Sequence, residues 1–391
     1  MTSLDTGESA TGTATGSWQI AKDSPLAVNW QGMDDNPVQL ADGRVLIAGG
    51  QDPNFGSGSG CAVFDPGTGA WTGTGPLTQG RSGHTLTRLR DGTVLAAGGY
   101  PTPQTSPAGL ATAERFDPVA GKWVTAGTMS VGRTAHSATL LADKRVLVAG
   151  GYADRSGTSG TTGTAEIYDP DAKTWTPTAP MNDARSVHQA VLLHDGRVLV
   201  IGGTADVGSG TYTDLAFCEI FDPATEQWTP TGSTARPRFD NTATVLHDGT
   251  VLVTGGGWPG WVAGRVFNAG SDWTTERYNP MTGTWARDAD LSCARLYHRA
   301  ALLRDGRVLV IGGANARSMS AGLRSAEIYD PDTKRWQPAA GLGTGRWAFG
   351  ALALTDGRVL VTGGVDHLDG SSNNWRLTAS TEIYTPPKGE Q

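Results

Sequence analysis

The chain has 391 residues with 55 Gly, 21 Pro and 13 Trp against 18% charged residues, a composition suited to many short strands joined by turns. A net charge of −7 argues against a nucleic-acid or anionic-membrane surface, and no apolar run approaches membrane-spanning length. Length alone suggests two or three domains, but internal repetition overrides that expectation.

The first stretch, "MTSLDTGESATGTATG", has neither a basic nor an apolar leader region and is expected to be a solvated tail over 1–16. "SWQIA", around Trp18, is the first expected strand. A pattern then repeats to the end of the chain. A β-branched run ends in a Gly pair at 49–50, 98–99, 150–151, 202–203, 255–256, 312–313 and 363–364, in steps of 49 to 57 residues. A polar loop follows, then a segment such as "AVFDP", "AEIYDP" or "TERYNP". Six residues past its Asp or Asn stands Trp71, Trp123, Trp175, Trp228, Trp285 or Trp336, and ten residues past each Trp stands an Arg.

Each unit therefore holds four strands: a, starting near the Arg; b, ending in Gly-Gly; c, ending in Asp-Pro; and d, at the Trp. Seven four-stranded copies imply one all-β domain over 17–385, a seven-bladed β-propeller. The last copy, "TEIYTPP", lacks its Trp, so residues 17–21 are expected to complete blade 7 and close the ring, leaving 386–391 as a tail. The pattern resembles the Kelch repeat over residues 18–385.

Strand a begins with Arg81, Arg133, Arg185, Arg238, Arg295 and Arg346, and strand c with Glu114, Glu166, Glu219, Glu276, Glu327 and Glu382. Blade 1 lacks both, with Gly32 and Ala62 in their places. This matched gap predicts ion pairs within blades, meeting over the side-chain-free Gly pair, rather than an anion-binding crown.

Other positions on that rim do not repeat. Three residues past the Arg the blades read Asp35, His84, His136, His188, Asn241, His298 and Phe349; one residue earlier, Asp34, Gly83, Ala135, Val187, Asp240, Tyr297 and Ala348. Strand a is innermost in a propeller, so these line the mouth of the central channel. His84, His136, His188 and His298 could hold one transition-metal ion (copper, iron or zinc), or each could bond to neighbouring backbone. Asp34, Asp35, Asp240, Tyr297 and His298 form a candidate catalytic group, with Asn241 and Phe349 as substrate contacts. The b–c segment 257–275 is long for a connection and brings Trp258, Trp261 and Arg265 as a cover, while "VDHLDGSSNNWR" adds Asp366, His367, Trp375 and Arg376.

"RLYHRAALLRDGRVLVIGG" and "GGGWPG" also resemble the Kelch copper-radical oxidases (galactose and glyoxal oxidase). That resemblance implies Tyr297 as axial and His298 as equatorial copper ligand, with Trp258 over the cofactor. Asp240 stands where that family has its cross-linked Tyr, Val187 and His188 bring no Cys, and the family's C-terminal domain is missing, so radical alcohol oxidation is not expected.

Cys61, Cys218 and Cys293 make no disulfide framework, which favours a cytoplasmic location. The G-x-G stretches lie between strands and open no helix, so no nucleotide or flavin site is expected. The leading expectation is an enzyme acting on a small molecule at the channel mouth by acid/base or metal-assisted cyclisation, isomerisation or elimination. The alternatives are a peptide-binding propeller and a metal-dependent oxidase without the radical cofactor.

Overall fold

The computed structural model describes residues 15–29, 37–52, 56–101, 109–153, 160–206, 212–258, 261–262, 265–266, 270–315, 321–368 and 375–387. Seven four-stranded antiparallel sheets follow one another around a ring, each in the order a-b-c-d. In blade 3, for example, these are Ser137–Leu140, Val146–Ala149, Ala165–Asp169 and Thr174–Thr178. The a strands of successive blades lie side by side and form the inner wall.

Strand b of every blade is a four-residue run such as Val45–Ala48 or Val198–Ile201, buried along its whole length. Flanked by strands a and c and covered on both faces by neighbouring blades, it has no solvent side and needs no alternation. Each main apolar cluster draws on two adjacent blades. One joins Leu147 and Ile167 of blade 3 to Val198 and Phe221 of blade 4, and another joins Val45 and Phe64 of blade 1 to Leu360 and Ile383 of blade 7. The core is thus a ring of seams between blades.

Tryptophan marks each seam. In all seven blades its ring lies tilted on the aromatic residue of strand c, with centroids 4.9–5.1 Å apart. Its indole N–H also donates across the seam: Trp175 to Ala126 O, Trp228 to Ala179 O, Trp285 to Gly232 O and Trp336 to Ala289 O. At the opposite end of the blades, the a–b hairpin arginines reach the next blade's c–d turn, Arg197 to Pro280 O and Arg358 to Pro66 O.

Ser17–Ile20 pairs antiparallel with Thr381–Thr385, Trp18 facing Tyr384, and so supplies strand d of blade 7. Trp71 closes the circle by donating to Lys22 O just past that strand. Just before that strand, Thr15 O accepts from the Ala340 N–H and the Tyr384 hydroxyl.

Six a–b turns place Gly at φ +82 to +92, while blade 3 has the exposed Lys144 at φ 80. A left-handed conformation disfavours a Cβ. Lys144→Gly is expected to raise stability by about 1 kcal/mol, read as a higher urea midpoint at unchanged slope.

Candidate functional site

All six expected Arg–Glu pairs form inside their own blades, at 2.6–3.1 Å. Their guanidinium groups are almost wholly buried, and none lines an open hole. Each arginine also donates to the carbonyl of the first glycine ending strand b, as Arg133 does to Gly150 O at 2.8 Å. Each glutamate also accepts backbone N–H from the segment entering strand a, as Glu166 does from Ser130 and Val131. The glutamate therefore ties its own strand c both to strand a and to the incoming chain. Blade 1's Gly32 lies outside the described residues.

The rim residue two positions past each Arg has one backbone conformation throughout: Gly83, Ala135, Val187, Asp240, Tyr297 and Ala348 all have φ between +46 and +62. For Val187 this is an outlier that the surroundings must enforce. Ala135 N donates to Gly83 O, Val187 N to Ala135 O, and Ala348 N to Tyr297 O, linking neighbouring blades around the axis. The conformation is scaffold, and the side chain it carries is free to vary.

The histidine column does not converge on a point. Each ring lies between its own blade and the preceding one, fully buried. His136 Nε2 bonds to Thr85 Oγ1 and His188 Nε2 to Ser137 Oγ, while His298 Nε2 reaches both Thr242 and Thr254 hydroxyls. The glycine pairs make the room. A Cβ on Gly49, Gly98, Gly150 or Gly255 would come within 2.7–2.8 Å of the next blade's histidine Cε1, and one on Gly312 within 2.9 Å of Phe349 Cε1. Phe349 is thus a slot-filler rather than a rim contact. Burial, and then the neighbouring arginine, push His84 and His188 down to about 3 and hold His136 and His298 well below the ordinary range. These imidazoles are neutral.

The expected four-histidine metal site is therefore corrected: the rings occupy separate seams, each spaced from the next by a blade. Among the described residues no three His, Cys, Asp or Glu side chains are placed to hold one ion. Tyr297 and His298 also part company. Tyr297 stacks on Trp347, centroids 5.3 Å apart, while His298 turns into its seam, so the pair does not fit a shared copper.

Other polar groups gather over blades 4 and 5. The b–c segments fold as β-ribbons, Thr204–Asp206 with Tyr212–Asp214 in blade 4, and Gly257–Trp258 with Gly270–Ser271 in blade 5. Trp261–Val262 pairs with Arg265–Val266 inside the latter. The side chains of Trp258, Trp261, Arg265, His367 and Trp375 lie outside the described residues, as do Asp34 and Asp35. Asp366 and Arg376 pair with each other at 2.9 Å. Asp214 ends the blade-4 ribbon, and burial followed by the Asp240 charge push its carboxyl up to about 8. Asn241, in the histidine column, is 1% exposed and has no partner for either amide atom. At Gly202, facing that slot, the nearest atoms to an added Cβ are Arg238 and Leu215 backbone, where Gly49, Gly98, Gly150 and Gly255 have a histidine ring carbon among theirs.

Three residues here escaped the sequence reading: Asp214, Trp347 and Arg299. Asp214 lies in an irregular ribbon that carries no repeat mark. Trp347 belongs to a column that reads Ser82, Thr134, Ser186, Phe239, Leu296, Trp347, and its change from hydroxyl to apolar in blades 5–7 was a usable signal. Arg299, 5% exposed at the start of strand a, stands where other blades have Thr85, Ser137, Gln189, Thr242 and Gly350.

Residues 37–257, more than half the chain, match the KLHDC2/KLHL20/DRC7 Kelch-repeats domain, and residues 295–343 match the Kelch motif. The chain belongs to the Kelch-repeat family. This Kelch propeller is 26% identical to alpha-scruin of Limulus polyphemus over 286 residues, 69% of this chain and 28% of that protein. It is 30% identical to the Kelch-like protein terF of Aspergillus terreus over 206 residues, 50% of this chain and 43% of that one. It is 26% identical to human Kelch-like protein 23 over 272 residues, 69% and 43% of the two chains. The Kelch propeller thus spans less than half the length of these curated relatives. A solved fungal alcohol oxidase of the AA5 family, in complex with copper, superposes with a TM-score of 0.71 at 17% identity, covering 95% of this chain and 77% of that one. That likeness is one of fold.

Proposed function

We propose that this Kelch propeller is a protein-interaction module that receives a peptide segment of its partner at the channel mouth, on the face carrying the b–c ribbons. The observation that carries this reading is the assignment of the repeated polar residues to scaffold. Six arginines, six glutamates and three of the four seam histidines, His136, His188 and His298, have hydrogen-bond partners within or between blades, and His84 is buried in the same kind of slot. The same face carries side chains that do not repeat from blade to blade, Asp214, Asp240, Asn241, Tyr297 and Trp347, over blades 4 to 7. On the same face, just before strand c, Phe217 and Trp273 are half-exposed, and aromatic anchors beside polar groups suit a protein contact. The similarity to Kelch-like proteins supports the same reading.

The test is hydrogen exchange on the propeller loaded with peptides selected from a displayed random library. Slowed exchange is expected around 239–241 and 296–298, with Tyr297→Ala weakening binding at least tenfold. Protection confined to the a–b hairpins would place the interface on the opposite face. A second reading, acid/base chemistry on a small molecule, is favoured by the Asp214 carboxyl, which burial and then the Asp240 charge push up to about 8. It would appear as a turnover that Asp214→Asn abolishes.

A further inference from the structure

We propose that the partner makes a second, outer contact at the blade 4–5 corner: an acidic side chain enters a small cavity between Arg236 and Arg287, and an adjoining apolar residue rests on Phe217 or Trp273. This takes its face from the interaction reading above and names the chemistry of a segment that runs outward from the channel mouth.

The cavity is about 190 Å³ and lies where the chain crosses from blade 4 into blade 5. That is room for one side chain rather than for a whole small-molecule ligand. Its floor is Thr274, Glu276 and Trp285, and its sides are Ala235, Arg236 and Arg287. The crossing segment is pinned from three directions. Thr234 N–H donates to Ala216 O of blade 4, Ala235 N–H to Glu276 Oε2 of blade 5, and the Trp285 indole N–H to Gly232 O. The Glu276 charge is already met by Arg238 at 2.6 Å below the cavity. Arg287 is 66% exposed at the side chain and is steadied by Asp290 at 2.6 Å, which engages only one of its several N–H donors. A carboxylate entering here meets guanidinium groups whose fork geometry matches it.

The sequence singles out this corner. In the other five blades with an Arg–Glu pair, the two arginine positions read Gln79 and Thr125, Val131 and Pro177, Asp183 and Pro230, Cys293 and Pro338, Thr344 and Ile20. Blade 5 alone has arginine at both. The aromatic residues depart from their columns too. Where Phe217 stands, blades 2, 3, 5, 6 and 7 have Thr112, Thr164, Thr274, Ser325 and Ser380, whose hydroxyls accept from the buried arginine of the blade. Blade 4 gives up that acceptor for a phenyl ring left 57% exposed. Trp273, 50% exposed, directly precedes Thr274 in a column that otherwise reads Ser59, Ala111, Gly163, Ala216, Arg324 and Ala379. Neither ring serves a seam, and two large apolar groups beside one charged cavity suit an interface. Strand c lies two strand spacings, about 10 Å, outside strand a, so about three extended residues cover the interval from mouth to corner.

The experiment selects random dodecapeptides on the whole chain, then titrates synthetic copies of enriched peptides by calorimetry. Enriched sequences are expected to share an Asp or Glu beside an apolar residue. Replacing that acid by its amide, or using the Arg236→Gln/Arg287→Gln propeller, should weaken binding about tenfold or more. Added salt should weaken it as well. Phe217→Thr restores the hydroxyl of the other blades, so it should weaken binding while the melting temperature holds or rises, an outcome that a purely structural phenyl ring would reverse. Inorganic phosphate, as a probe, should not displace the peptide, and displacement would assign the arginines to a small oxyanion instead. Enriched peptides without an acid, or affinity indifferent to the amide and arginine changes, would overturn the corner. Loss of the same peptides on Tyr297→Ala would then leave the channel-mouth reading standing. Selection of no peptide at all would remove both.

Discussion

Replacing Glu166 by alanine is expected to cost about 3–5 kcal/mol, because it leaves a buried charge without its partner. Glu166 and Arg133 are 1% and 0% exposed at the side chain and 3.1 Å apart. The glutamate also takes the N–H groups of Ser130 and Val131, so three donors lose their acceptor at once. Arg133 keeps the carbonyls of Gly150 and Thr164, which cannot neutralise it. The measurement is urea unfolding at pH 7.5, where the midpoint should fall with little change in slope. Arg133→Met/Glu166→Leu should recover much of the loss, since the pair is costly to break but not to replace. A loss below about 1 kcal/mol in Glu166→Ala would contradict a buried staple, that being the worth of an exposed pair.

The second large effect is on acid stability. His84 and His188 titrate near 3 in the folded chain against an ordinary value of 6.5. Between those limits the unfolded chain holds protons that the folded chain refuses, so stability is complete above about pH 6.5 and falls as the pH drops towards 3. At pH 4 the loss is about 3 kcal/mol for each of these two residues. His136 and His298 act in the same direction. Carboxylates also contribute on acidification, and Phe349 suggests how to separate the two, because a phenyl ring already fills the corresponding slot against Gly312. His188→Phe should fold and should unfold in urea at pH 4.5 with a smaller deficit relative to pH 7.5 than the parent shows. An unchanged deficit would mean that the His188 seam does not sense protons.

The architecture could be read from the chain because its determinants recur in fixed columns. The Gly pairs, the Trp, the "YDP" segment and the matched absence of Arg and Glu from blade 1 each say the same thing seven or six times, and the structure places them accordingly. The histidines show where that legibility stops. Their spacing is regular, but their partners Thr85, Ser137 and Thr242 lie in the preceding blade, so a role in holding seams looks in one dimension like a cluster around an axis. The varied rim was noticed, yet the reason for its variation is a uniform left-handed turn, and conformation leaves little trace when Val187 and Gly83 share it. Asp214 was invisible because it lies in a b–c segment whose sequence differs from blade to blade. Asp240 and Asn241 depart from their columns, and the structure leaves both amide atoms of Asn241 unsatisfied.

The four-residue strand Ser17–Ile20 differs from every other outer strand in one respect: no turn connects it to its partner. In blades 1 to 6 a short covalent hairpin keeps strand d beside strand c, whereas in blade 7 the zipper is drawn shut across the full span of the polypeptide. Since closure entropy grows only with the logarithm of span, the extra penalty is bounded, about 3–4 kcal/mol relative to a six-residue turn. It falls wholly on one joint. Heat, pulling force or a protease should therefore unlatch the ring at blade 7, while the blade 4–5 junction, with blades 1 to 3 before it and blades 6 and 7 after it, keeps its shape in the opened form.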